Sequence, residues 1–128
     1  MDPTTLGIIA SAAVGLVTSF FSKVGEAAAK KVGEDVVQAL KTRFAKRPAA
    51  HEALSDLEKS PDDADLQATL RVQLKKALEE DKAFAMELQE LLRVAGATEA
   101  GATIIRQIAG DNAKQFGQVF GDVTIGDD

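Results

Sequence analysis

Residues 4–21 read "TTLGIIASAAVGLVTSFF". No charged residue occurs from Pro3 to Ser22. Asp2 is suited to capping the first turn of a helix, and Pro3 to its first position. A helix of roughly twenty residues rises about 30 Å, the thickness of a hydrocarbon core. Thr4, Thr5, Ser11, Thr18 and Ser19 dilute its hydrophobicity, so two readings compete. One is the buried central helix of a bundle. The other is a membrane-insertion helix carried by Leu6, Gly7, Ile8, Ile9, Ser11, Val14, Gly15, Leu16, Val17, Ser19, Phe20 and Phe21. Gly7, Ser11, Gly15 and Ser19 recur every fourth residue, which lines one face with small side chains and lets helices approach closely, in lipid or in a bundle. A signal peptide is not expected, because Asp2 precedes the apolar stretch and Lys23, Lys30 and Lys31 follow it. That charge order would leave the C-terminal side in the cytoplasm. The two readings are compatible if the helix is sheltered in one state and inserted in another.

The rest of the composition suits a helical domain. The 128 residues, 45% hydrophobic, are enough for one core. Aromatics make up only 5%, with no Trp and no Tyr, so Ala, Leu and Val must fill that core. Close-packed helices use such residues better than a β-sandwich does. The absence of Cys excludes disulfides, thiolate metal sites and cysteine nucleophiles, and fits a cytoplasmic protein. A net charge of -5 with no evident basic stripe argues against nucleic acid.

From Val24 to about Lys46, Ala29, Val32, Val36, Val37, Leu40 and Phe44 fall at helical spacing, and Pro48 ends the segment. A short helix follows with Ala50, Ala53, Leu54 and Leu57. Ser60-Pro61-Asp62-Asp63 reads as a helix start, with a Ser cap and Pro at the first position. Leu66, Leu70, Leu74 and Leu78 then recur every fourth residue, and Phe84, Leu88, Leu91, Leu92 and Ala95 form a last segment that Gly96 would stop. The expected architecture is all-α. Residues 1–96 form a four- to five-helix bundle, 97–102 a linker, and 103–128 a tail prone to cross-β assembly.

That tail changes period. "IAGDNAKQFGQVFGDVTIG", residues 108–126, holds short β-branched and aromatic runs closed by Gly-Asp pairs. Gly110-Asp111 and Gly121-Asp122 supply turn chemistry. Within a motif running from Ile108 to Ile125, Phe116, Val119, Phe120 and Val123 would fill the interior of a stacked layer, and Asn112, Gln115 and Gln118 would form amide ladders. Gly117 falls between the apolar runs. A docked hairpin or a loose tail is the plainer alternative.

Nothing in the chain reads as catalytic, and no cofactor is implied. His51, the sole histidine, lies among Ala and Glu and reads as a helix-surface residue. Glu79, Glu80 and Asp81 are consecutive, so they point apart and read as a solvated face, not an acid–base pair. No glycine spacing suits a phosphate loop.

A hydrophobic, glycine-containing first helix followed by a small bundle and a Gly/Asn/Asp-punctuated tail resembles the bacterial Bell-domain proteins with C-terminal bacterial amyloid signalling sequences, analogues of fungal HeLo-type cell-death effectors. The resemblance implies an effector of bacterial innate immunity. An NLR-like receptor, nucleotide-binding and oligomerising, would carry a matching N-terminal motif and template the tail. Self-assembly into an oligomer or fibril would follow, and residues 6–21 would then permeabilise the inner membrane. It implies a protein that is cytoplasmic at rest and moves to the inner face of the cell membrane when activated. The competing expectation is a cytosolic adaptor whose tail binds a partner by strand addition, without membrane activity.

Overall fold

The computed structural model describes residues 3–22 and 27–96. Five helices occupy them: α1 (Pro3–Phe21), α2 (Ala27–Phe44), α3 (Pro48–Lys59), α4 (Ala64–Glu80) and α5 (Lys82–Gly96). There is no strand among the described residues, and the fold is an all-α bundle. The segment expected to be cross-β and the proposed linker lie outside the described residues, as does Asp2.

The connections follow local chemistry. Lys41 and Arg43 occupy the last turn of α2, where cations suit the negative end of the helix dipole. Pro48 does more than end α2, because it opens α3 near its first position, where a missing N–H costs nothing. The expected Ser60 cap of α4 is corrected by one turn. Ser60 closes α3 instead, its N–H donating to the Asp56 and Leu57 carbonyls. The Asp63 N–H then donates to the Ser60 carbonyl at 3.1 Å. Asp63 is the true cap of α4, its Oδ1 accepting from the Asp65 and Leu66 amides at 2.9 and 3.2 Å. A carboxylate two residues beyond the proline reaches those amides, whereas Ser60 is already committed to the preceding helix. At Asp81 the chain passes from α4 to α5, and the Asp81 carboxylate accepts from the Phe84 amide at 3.1 Å.

The core is built around α1, which packs against all four other helices and most extensively against α2 and α4. Ile9, Ala10, Ala12, Ala13, Leu16 and Val17 are almost fully buried, and Leu6 and Val14 nearly so. They meet Val36, Val37, Leu40 and Phe44 of α2, Leu70, Leu74 and Leu78 of α4, and Phe84, Leu88 and Leu92 of α5 in one cluster. No polar or charged residue is buried among the described residues.

α1 and α2 run antiparallel. Gly33, early in α2, lies against the end of α1, where an added Cβ would come within 2.7 Å of Phe20 Cβ and 3.3 Å of the Leu16 carbonyl oxygen. At the opposite end of α2, Phe44 meets Phe84 edge-on, with ring centroids 6.3 Å apart. The start of α1 lies at that same end, since Leu6 shares a cleft with Leu78, Ala85 and Met86.

The close approach of α1 to its neighbour therefore falls on Gly33, not on the glycine of the α1 strip that a Cβ would leave unopposed. At Gly7 an added Cβ would meet nothing within 4 Å. Replacing Gly33 by Val should cost about 1–3 kcal/mol, the range of overpacked core contacts. Gly7→Ala should be neutral or stabilising by up to about 1 kcal/mol through helix propensity. Urea denaturation of the two variants checks both signs.

Candidate functional site: the enclosed first helix

The residues singled out in α1 divide by depth. Leu6, Ile9, Val14, Leu16 and Val17 are buried. Gly7, Ile8, Ser11, Gly15, Ser19, Phe20 and Phe21 are half-buried. At 100° per residue the buried set covers more than half of the circumference, and the small residues Gly7, Ser11, Gly15 and Ser19 gather on the remaining side. The strip of small residues is thus the more exposed side of α1, and its tightest described contact, at Phe20, lies off that strip. Phe20 and Phe21 pack with centroids 5.9 Å apart. Thr18 Oγ1 is buried without a hydrogen-bond partner among the described residues, an arrangement that costs roughly 1–3 kcal/mol.

The nineteen residues of α1 span about 28 Å, marginally less than a hydrocarbon core of about 30 Å. Among the described residues, no helix is long and apolar enough to cross a membrane. Five large side chains of α1 are buried, each contributing roughly 1.5–3 kcal/mol. Their total, on the order of 10 kcal/mol, is similar to the whole stability of a typical domain. Freeing α1 therefore amounts to opening the bundle, not to swinging out one arm.

A polar cluster sits where α2 ends, on the side at which α1 starts. Arg43 donates from Nη1 to Asp81 Oδ2 at 3.2 Å and from Nη2 to Glu87 Oε1 at 3.1 Å. Its guanidinium carbon stands 5.4 Å from the centroid of the Phe84 ring. Arg47 grips Glu80 with both terminal nitrogens, at 2.9 and 3.3 Å. Hydrogen bonding from Arg47 lowers the Glu80 carboxyl below its usual range, and Glu80 raises Arg47. The three consecutive acids do point apart, but they are not one solvated face. Glu80 holds Arg47, while Asp81 holds Arg43 and caps α5. Sequence spacing could not reveal these partners, which are more than thirty positions away; only the run "KTRFAKR", residues 41–47, marked a concentration of cations. The isolated Gly33 within an otherwise helical pattern was the signal for the close approach.

His51 is exposed on α3. Among the described residues, no group of three or more His, Cys, Asp or Glu is arranged to hold a metal ion. The amyloid-motif residues, from Ile108 to Ile125, lie outside the described residues.

Because the folded Glu80 carboxyl titrates below its unfolded value, the Arg47 pair stabilises the fold above the ordinary carboxylate pKa of about 4.3 and loses that effect as pH falls through the lower folded value. The stability gap between wild type and Glu80→Gln should be present at about pH 6 and narrow as the pH falls below the ordinary carboxylate pKa of about 4.3. Chemical denaturation across that interval measures it.

No curated protein and no solved structure matches the chain. A family model, the Het-E N-terminal domain, matches residues 1–128, the full length given. A five-helix bundle enclosing an uncharged first helix, matched over its whole length, belongs to the Het-E N-terminal domain family, a HeLo-like family of fungal cell-death effectors.

Proposed function

We propose that this protein is a non-catalytic cell-death effector whose first helix permeabilises a membrane once the bundle is opened. The observation that carries the reading is α1 itself: uncharged from Pro3 to Ser22, yet enclosed by four helices. A helix of that composition needs an apolar surround, and two are open to it. One is the core of its own bundle. The other is lipid, in which the backbone hydrogen bonds of a helix are already satisfied and Ser and Thr hydroxyls can bond the preceding turn. A span about 2 Å short of the hydrocarbon thickness is accommodated by local thinning at modest cost.

The trigger in this reading is the tail. An NLR-like receptor with a matching motif templates residues 108–125 into cross-β, copies of the chain assemble, and crowded bundles open at the inner face of the cell membrane. Partners are then the receptor, further copies of the chain and membrane lipids, and neither a cofactor nor nucleic acid takes part. The bacterial setting and the Bell-type form come from the sequence resemblance; the family match supports the coarser class of HeLo-like effector.

The enclosure of α1 also favours a second reading, an adaptor in which that helix never leaves the core and the tail recruits a partner by strand addition. The two part on one experiment with the full chain. Val14 is a poor probe, since it is 6% exposed and a charge there would unfold the bundle in either case. Gly15, half-buried, is the better site. Gly15→Lys places a charge near mid-span, a cost of roughly 2.5–3.5 kcal/mol on insertion scales. The effector reading expects seeding with fibrils of residues 103–128 to give cross-β reflections near 4.7 and 10 Å from wild type and Gly15→Lys alike. It expects vesicle leakage from wild type only. Leakage undiminished in Gly15→Lys would remove α1 from the mechanism, and fibrils without leakage from either protein would favour the adaptor.

A further inference from the structure

Among the described residues, two of the three ion pairs that join positions distant in sequence cross one seam, and the third, from Arg47 at the N-cap of α3, braces the α3–α4 side of it. Arg43 meets Asp81 and Glu87, and Arg47 meets Glu80. The pairs Lys31–Asp35 and Glu90–Arg93 stay within single helices. On one side of the seam is the antiparallel α1–α2 hairpin, held tight by the approach of Gly33 to Phe20. On the other is the elbow at Asp81 that joins α4 to α5.

We propose that this clasp is a conformational latch: it sets how readily the α1–α2 hairpin opens away from α3–α5 to uncover the apolar side of α1. The position supports this more than the strength of the pairs. Arg43 holds two carboxylates and lies over Phe84, whose ring meets Phe44 of α2. One side chain therefore covers an aromatic contact between α2 and α5 at one end of the seam. The cleft around Arg43 is also acid-rich. Asp35, Asp81 and Glu87 line it, with Lys46 as the other cation. Loss of Arg43 leaves Asp81 and Glu87 facing the seam without their partner.

Both sides of the clasp are reachable from solvent. The Arg43, Asp81 and Glu87 side chains are 36%, 42% and 46% exposed. Exposed pairs are screened by salt and weak one at a time. A weak, salt-sensitive contact suits a latch, because it biases a sub-global opening without deciding whether the domain folds.

The latch is independent of the proposed membrane step, since it is read in the absence of lipid; where that step holds, the latch governs how easily α1 is freed. The test is amide hydrogen exchange on the full chain, helix by helix. In the variant Arg43→Gln, amides of α1 and α2 should exchange about five-fold faster, the effect of two weak pairs together, while α3 and α4 keep their rates. Raising salt on the wild type from about 0.05 to about 0.5 M should act in the same direction on the same two helices, and this arm needs no mutation that could unfold the protein. The exchanged pair Arg43→Glu with Glu87→Arg should restore part of the protection lost in either single change. Uniform acceleration of all five helices would reduce the clasp to ordinary stability, and unchanged exchange in α1 and α2 would remove it altogether. Either result overturns the latch.

Discussion

The enclosure of α1 is the constraint on which the rest of the bundle depends. Every other helix packs against it, and its buried side chains run from Leu6 to Val17 without a charge. An aliphatic core poor in aromatics has few large anchors, so its stability depends on close backbone approach and on many small contacts. Gly33 provides one such approach, letting the α2 backbone come down onto Leu16 and Phe20. Phe44 and Phe84 close the other end. Because α1 is central, its release and the opening of the bundle are one event.

That coupling has a consequence for how such a helix could be used. An apolar helix carried on the surface would aggregate, since large exposed apolar patches invite association. Held inside, it is hidden by the same contacts that fold the domain. The energy that keeps it there is on the order of a domain's entire stability, so an activating event must either supply that much through assembly or act at a seam where opening is already least costly. The polar joints lie away from α1, at the end of α2 and the α4–α5 elbow, and the apolar joints lie on it.

Helix existence was legible from local pattern. The four-residue recurrence of Leu66, Leu70, Leu74 and Leu78 gave α4, although Leu66 ends only half-buried at its start. The cap of that helix was misplaced because "SPDD" contains two plausible capping arrangements, and only the end of α3 decides which residue remains free for α4. The spacing of Gly7, Ser11, Gly15 and Ser19 was legible too, but not its use. Small residues at that spacing permit close approach; they do not say from which side a neighbour comes.

The sequence by itself determined an all-α domain, the helix segments and the uncharged character of α1, because hydrophobic period, capping residues and charge are local properties. It also marked the break in composition after Gly96. Only the tertiary structure decided that α1 is central, that Gly33 makes a close approach where Gly7 does not, and that Arg43 and Arg47 reach the elbow at Glu80, Asp81 and Glu87. Those facts depend on which surfaces meet after the chain has folded back on itself. Partners 33 to 44 positions apart leave no spacing in the sequence from which the meeting can be read.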